Sequence, residues 1–317
     1  MIDGGPEISV VVPTFNRGVL LDQVITCLEK QTLSSEQFEV IVVDDGSTDD
    51  SPAVLARLAT TTSLRLRTIR TRNQGAAKAR NLGWRSSTAP FIAFLDDDCV
   101  AERGWLEAGL AMLCSKPSLG IVQGRTVIPE GTVLSAWTVT REVRWPSVYF
   151  ESHNIFYRRA ALAQTHGFDE NLRIYGEDTA LGWEVMSHGW ERAFADDATV
   201  VHKADERGVR WHIRYSYTAE RNLIGVAAMF PEFRRSGFWR PWAFQRHHAH
   251  YAVALAGLGL SLWRRPFFLL VLPYFWTRRP DRTYRPYARL VLERLAVDTG
   301  GFVGRKVGAV RYRRFVV

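Results

Sequence analysis

The sequence predicts an α/β fold in which a largely parallel sheet carries helices on both faces. Three observations predict it. Apolar runs of five or six residues alternate with stretches of helical spacing through the N-terminal half. Strands so short and so evenly apolar are buried on both faces, as in parallel sheets. Acidic clusters follow two of these runs directly, at the strand ends beyond which such sheets bind ligands.

The elements read as follows. Residues 8–13 form a β-branched first strand, and residues 19–31 a helix with Leu20, Leu21, Val24, Ile25 and Leu28 on one side. Residues 38–43 are a second strand, running into Asp44-Asp45-Gly46-Ser47. A helix over 52–59, a third strand over 64–69 and a helix over 76–84 come next. Arg65, Arg67, Arg70 and Arg72 decorate an exposed strand. The fourth strand, 91–95, runs into Asp96-Asp97-Asp98, before a helix over 104–114 and a strand near 120–128. A loop from Phe168-Asp169-Glu170 reaches Gly176-Glu177-Asp178, and a helix over 179–188 stops at Gly189. A short strand over 199–201 ends at His202.

The 317 residues allow one large domain with an added segment, or two modest ones. The three cysteines have no metal-type spacing, which predicts a reducing compartment without disulfides or structural zinc. No signal-peptide pattern opens the chain, so a cytoplasmic location is expected. The net charge of +8 is unevenly placed. Residues 234–317 hold 17 Lys+Arg against 3 Asp+Glu, a net of +14, and the first 233 hold 24 against 30, a net of −6. The composition shifts near 233, so residues 1–232 are expected to form the main domain, with halves 1–98 and 99–232. Residues 233–317 then form a basic, aromatic-rich helical region.

The acidic clusters carry the chemistry. Side chains alternate along a strand, so Asp96 and Asp98 are expected on one side. Close carboxylates repel unless a cation lies between them, and oxygen ligands suit Mg²⁺ or Mn²⁺, which also bind phosphate. A solvated acidic turn is the plain alternative; the apolar strand in front favours the metal. Asp44 and Asp45 suit a helix-capping turn or hydrogen bonds from a ribose or base. Glu177 and Asp178 suit the helix dipole or, for Asp178, a general base. There the helix terminus lowers the pKa while neighbouring acids raise it. His202 alone reads as structural. His247, His248 and His250 read as surface or interfacial residues without a matching carboxylate.

Together these residues resemble family 2 glycosyltransferases, which have the GT-A fold, a Rossmann-like, mostly parallel sheet flanked by helices. Residues 10–17 (VVVPTFNR) are similar to that family's first strand and nucleotide loop, and 42–49 (VVDDGSTD) to its second-strand signature. Asn73-Gln74-Gly75 with Ala79-Arg80-Asn81-Leu82-Gly83 resembles the segment before the metal motif. Phe94-Leu95-Asp96-Asp97-Asp98 with Trp105-Leu106 resembles the DXD region, and Gly167-Phe168-Asp169-Glu170 with Gly176-Glu177-Asp178 the acceptor-side motif. The resemblance implies inverting transfer from a nucleotide-diphosphate sugar. Asp178 would activate the acceptor. Asp96, Asp98 and His202 would hold Mg²⁺ or Mn²⁺, with Asp97 or Asp96 also near the ribose. Pro13, Thr14, Asn16, Asp44, Asp45, Gln74 and Arg80 would surround the nucleotide. Ser152-His153-Asn154 departs from the small residues usual there. No Gln-x-x-Arg-Trp motif of processive synthases is present, so addition of one or a few sugars is expected.

In the basic region, apolar runs over 251–263 and 267–276 fall short of the ~20 residues of a spanning helix. Trp, Tyr and Arg at their flanks fit an element lying in a membrane interface; a helical subdomain is the other reading. The expected partners are a nucleotide sugar, a glycan or lipid-linked acceptor of the cell envelope, and an anionic membrane surface, at the inner face of the cell membrane. A silent nucleotide-sugar binding protein is the rival function. Nucleic acid is not expected, because the acidic sheet edge repels phosphate unless a metal is present. No Gly-x-Gly-x-x-Gly follows the first strand, which argues against a dinucleotide oxidoreductase.

Overall fold

The structure is a computed structural model and describes residues 5–172, 174–238, 240, 245–278 and 287–313. The chain divides into two compact units, one of Met1–Val133, Val139–Arg173 and Glu177–Asp205, the other of Leu134–Thr138, Ile174–Gly176 and Glu206–Val317.

The first unit is built on an eight-stranded sheet. Its strands are β1 (Ile8–Thr14), β2 (Phe38–Asp44), β3 (Arg65–Arg70), β4 (Phe91–Leu95), β5 (Cys99–Ala101), β6 (Leu119–Val127), β7 (Asn154–Arg158) and β8 (Glu191–His202). The spatial order is β3-β2-β1-β4-β7-β6-β8-β5. The first four in that order run parallel, β7 is antiparallel to both β4 and β6, and β8 is parallel to β6. Both β1 and β2 are buried along their whole length, as their largely apolar runs predict; the polar Ser9 and Glu39 within them bond to each other. Helices α1 (Gly18–Glu29), α2 (Ser51–Thr61), α3 (Ala76–Ser86), α4 (Trp105–Ser115), the short α5 (Arg159–Leu162) and α6 (Glu177–Ser187) accompany it. One core lies around Val10, Leu21, Val40 and Trp105, and a second around Phe94, Tyr157 and Phe168. The parallel register sets Thr14 level with Asp44, and Asp44 level with Arg70, so three strands end on one line.

The expected arginine decoration holds for β3. It is the edge strand, and Arg65, Arg67 and Arg70 pair with Glu36, Glu39 and Asp44. Two strands differ from the sequence reading. The apolar run of β7 is only Ile155-Phe156-Tyr157, too short to read alone. The last strand begins at Glu191 rather than 199. Asp196 and Asp197 interrupt its apolar pattern, and a register irregularity between Gly124 and Arg125 of β6 absorbs them; Arg125 pairs with Asp196 there.

The second unit is helical: α7 (Val209–Met229), α8 (Pro231–Gly237), α9 (Arg246–Ser261), a 3₁₀ turn (Arg265–Val271), α10 (Leu272–Arg278) and α11 (Tyr287–Arg311). The compositional shift at 233 falls inside this unit. Gly304 and Gly308 let α11 approach α7 closely: a Cβ at 304 would stand 2.1 Å from the Tyr217 carbonyl oxygen and one at 308 2.9 Å from that of Arg221. The histidine reading is corrected here. His248 is buried and its Nε2 lies 3.3 Å from Glu220 Oε1, with Arg305 3.5 Å from the other oxygen. Glu220 precedes His248 by a whole helix in sequence, so only packing makes them partners.

Gly109 of α4 faces the Phe156 ring, and a Cβ there would lie 2.3 Å from it. Gly109→Ala is expected to lower stability by about 1–3 kcal/mol, the usual cost of overpacking a filled core. Chemical denaturation checks this; an unchanged midpoint would show that β7 can shift freely.

Candidate active site

The carboxyl ends of β1, β2 and β4 border a cavity of about 300 Å³. It gathers Pro13, Thr14, Asp45, Arg80, Asp96, Asp97 and Asp98, together with Arg17. Asn16, Asp44 and Gln74 are not in its wall; they shape the loops that form it. Asn16 has a positive φ of 54°. Its Oδ1 accepts the Thr48 N–H at 2.7 Å, and its own N–H donates to Ser47 Oγ at 2.8 Å. Asp44 Oδ1 accepts the Ser47 N–H at 2.8 Å, the capping-turn role of an aspartate. Asp45 does both things at once: it borders the cavity, and its carboxylate accepts the N–H groups of Gln74 and Gly75 at 2.8 and 2.7 Å.

The triplet does not continue the strand. β4 ends at Leu95, and Cys99 N–H donates to Asp96 O at 3.1 Å, closing a turn before β5. Strand alternation therefore does not apply, yet Asp96 and Asp98 both border the cavity, brought there by the turn. Asp97 and Asp98 grip one guanidinium, that of Arg17, at 2.7 and 2.6 Å. Asp96 turns to Arg80 at 2.6 Å. Burial pushes Asp97 up to about 6 against the pull of Arg17. Burial is the largest influence on Asp96 and works to raise it, but Arg80, together with His153 and His202, holds that carboxyl below its ordinary range.

His202 reaches the triplet through the sheet. β5 pairs antiparallel with β8, opposing Cys99 to His202. His202 Nδ1 lies 2.7 Å from the Lys203 carbonyl oxygen, which only accepts, so Nδ1 carries the hydrogen. That leaves Nε2 facing Asp98 Oδ1 at 3.8 Å. Asp98, Cys99 and His202 bring their ligand atoms within 4.8 Å of one another. Two acceptors turned to each other need a cation or proton between them. Burial, then the charge of Asp96, pushes the Cys99 thiol well above its ordinary pKa, so it stays a protonated, soft group and leaves an oxygen–nitrogen donor pair. His153, given no site role by the sequence, packs edge-on at 5.1 Å from the His202 ring. Burial, then His202, lowers its pKa to about 3, so it is neutral.

Asp178 stands at the start of α6, half-buried. The opposed influences on it resolve in one direction. Burial, then the charges of Glu177 and Glu151, raise its pKa well above the ordinary carboxylate value, although it accepts the Thr179 N–H at 2.8 Å. The helix terminus loses to desolvation and like charge. Its other oxygen accepts the Ser152 N–H at 3.4 Å. Glu177 meets Arg80 at 3.5 Å, so a single buried guanidinium joins Asp96 to the acidic pair on α6. Arg80 also lies over the Phe168 ring, 5.6 Å from its centroid. Arg17 lay inside the first-strand motif and His153 in the departing segment, but their partners, and Glu151, could not be read there, because each depends on an element distant in sequence.

Replacing Arg80 by Met leaves Asp96 and Glu177 without their shared cation. Removing one partner of a buried ion pair costs on the order of 3 kcal/mol, and a loss of that size is expected in urea denaturation. A loss under about 1 kcal/mol, the range of an exposed pair, would mean solvent screens the network.

Known proteins share this architecture. The family model described as Glycosyl transferase family 2 matches residues 9–169, and that of Glycosyl transferase family group 2 matches residues 91–284. The validoxylamine A glucosyltransferase of Streptomyces hygroscopicus subsp. jinggangensis is 29% identical over 240 residues, 64% of this chain and 56% of the relative. The pre-mycofactocin glycosyltransferase of Mycobacterium tuberculosis is 29% identical over 322 residues, 93% of this chain and 62% of the relative. The chain thus spans little more than half the length of these relatives. Among solved structures, the mannosyltransferase PcManGT from Pyrobaculum calidifontis, in complex with GDP-Man and Mn²⁺, superposes with a TM-score of 0.61 at 21% identity, over 98% of this chain and 87% of that one. Staphylococcus aureus TarS in complex with UDP gives 0.53 at 18% identity, over 97% and 92%. With half its length inside the first pattern and its acidic sheet edge so built, the chain belongs to glycosyl transferase family 2 and has the GT-A fold.

Proposed function

We propose that this chain moves a sugar from a nucleotide-diphosphate sugar to an acceptor hydroxyl, with inversion at the anomeric carbon. One observation carries the reading: Asp178, a carboxylate of raised proton affinity, is tied through Glu177 and Arg80 to a cavity walled by four aspartates. The names of the relatives agree with sugar transfer, and the Pyrobaculum structure pairs this fold with a nucleotide sugar and Mn²⁺.

In this reading Pro13, Thr14, Asp45 and Arg80 border the nucleotide, on loops held by Asn16, Asp44 and Gln74, and Asp97 or Asp96 lies near the ribose. The acceptor oxygen bonds to the anomeric carbon as the bond from that carbon to the diphosphate oxygen breaks. Asp178 takes the hydroxyl proton as attack proceeds; its raised pKa makes it a stronger base than a free carboxylate. A second cavity, of about 460 Å³, includes Trp145, Tyr149 and Glu151 in its wall. Glu151 adjoins Ser152, whose N–H reaches Asp178, so this cavity is the acceptor's place, and the exposed Trp145 ring offers a stacking face for a sugar. A divalent cation fits the opposed Asp98 oxygen and His202 nitrogen. Those two, with Asp96, would hold it, and when bound it supplies positive charge to a departing diphosphate. The acceptor class we read is a lipid-linked or cell-envelope glycan, met at the inner membrane face, on the strength of the basic C-terminal region.

The metal assignment predicts that chelation abolishes transfer and that Mg²⁺ or Mn²⁺ restores it. Asp98→Ala should weaken donor binding, read by thermal stabilisation with a panel of nucleotide sugars, only when metal is present. Full turnover in excess chelator would refute this assignment.

Asp178→Asn keeps the shape and removes the proton acceptor. Turnover should fall at least about 100-fold, the reach of general base catalysis, while donor affinity is nearly kept. Unchanged turnover would reduce Asp178 to a helix-start residue. Donor and metal binding with neither transfer nor slow donor hydrolysis in the unaltered protein would point to a silent binder.

A further inference from the structure

Helix α9, the 3₁₀ turn and α10 form a hairpin whose outside is as apolar as its inside. From Tyr251 to Trp263, and again from Pro266 to Trp276, no charged residue occurs. The inward face is small: Tyr251, Ala254, Val271 and Tyr274, with Leu295 and Phe302 of α11 against them. Its polar atoms also turn inward. Tyr274 O–H donates to Asp298 at 2.8 Å, and the Tyr251 and Thr299 hydroxyls lie 2.7 Å apart. The two arms meet tightly at Gly257, where a Cβ would stand 2.6 Å from Leu270 Cβ. What remains outside is Val253, Leu258 and Leu260 on one arm and Leu269 (62% exposed), Leu272 and Trp276 (69%) on the other, with Leu262 (91%) and Trp263 (72%) before the turn. A helix apolar all round belongs in a core or in lipid, and contiguous patches of this kind mark interaction sites.

We infer that this hairpin lies in the plane of an anionic lipid surface and buries its outer face among the acyl chains. Length, charge and edge chemistry select that occupant. The 16 residues of α9 reach about 24 Å, short of the ~30 Å hydrocarbon core. Among the described residues no helix is long and apolar enough to cross a membrane. Arg264 and Arg265 are exposed at the turn, and Arg264 stacks on the Trp263 ring at 5.2 Å. That pairing fits an interface, where aromatic rings and arginine heads sit at headgroup level. The net charge of +14 over residues 234–317 draws the region to anionic lipid and opposes pairing with a second copy. The inference gives the membrane-facing acceptor of the proposed function its contact element, and it rests on that reading for its purpose, not for its physics.

The test uses the full chain and vesicles of phosphatidylcholine, with and without phosphatidylglycerol, sedimented across a salt series. Binding to the anionic vesicles is expected, weakened but not eliminated by salt. Leu262→Glu with Trp263→Glu should lower partition at least about tenfold and remove the salt-resistant part, since each large apolar side chain lost from lipid is worth that much. Arg264→Gln with Arg265→Gln should lower only the salt-sensitive part. All four side chains are exposed, so folding is kept, and nucleotide-sugar stabilisation in the same samples verifies it. Unaltered binding by the Glu variant would overturn the inference. So would absence from both vesicle types, or concentration-dependent self-association abolished by that variant, which would assign the face to a second copy. Vesicle binding that follows these rules in a protein that binds no nucleotide sugar would keep the hairpin assignment and sink the transferase reading.

Discussion

A buried guanidinium holds the acidic site together. Arg80 comes from α3 and meets Asp96, from the turn after β4, and Glu177, from the start of α6. Each carboxylate alone would be costly at that depth, and so would the arginine. Their pairing lets three elements converge on one point while keeping an ionised aspartate at the cavity. It also sets Asp178 apart. Glu177 has the arginine, and Asp178, with less of it and more of Glu177 and Glu151, keeps a high proton affinity. Burial raises both acids at that helix start; Arg80 works against it at Glu177, and the like charges of Glu177 and Glu151 add to it at Asp178.

Arg17 plays a parallel part at the other end of the triplet. Asp97 and Asp98 would repel across the turn, and its guanidinium joins them. His202 meets only the far oxygen of Asp98. The triplet is therefore divided among two arginines and a histidine, each from a different element, rather than presented as a uniform acidic edge. The neutral His153 against the His202 ring adds no competing positive charge.

The second unit follows another rule. Its long helices pack through glycines on α11 and share the buried Glu220–His248–Arg305 network. Its hairpin spends few apolar side chains inward and leaves many outward. Polar groups tied inside and apolar ones left outside reverse the order of a water-facing helix pair.

The sequence by itself determined the parallel half of the sheet and the chemistry of its edge. Runs such as residues 38–43, apolar but for Glu39, read as a strand covered on both faces, and Asp44, Asp45 and the aspartate triplet follow such runs without a break. Local rules suffice there, because a strand's burial is written in its own residues. Only the tertiary structure decided how the site's charges pair. Strand alternation placed Asp96 with Asp98, but the chain turns after Leu95 and sorts them to different arginines. His202 became the neighbour of Asp98 through the antiparallel register of β5 and β8, about a hundred residues apart in the chain. The pKa of Asp178 depended on whether desolvation and like charge outweighed the helix terminus, and His248 on a carboxylate one helix away. Pairing and desolvation depend on distance and burial in three dimensions, and neither quantity exists until the elements have packed.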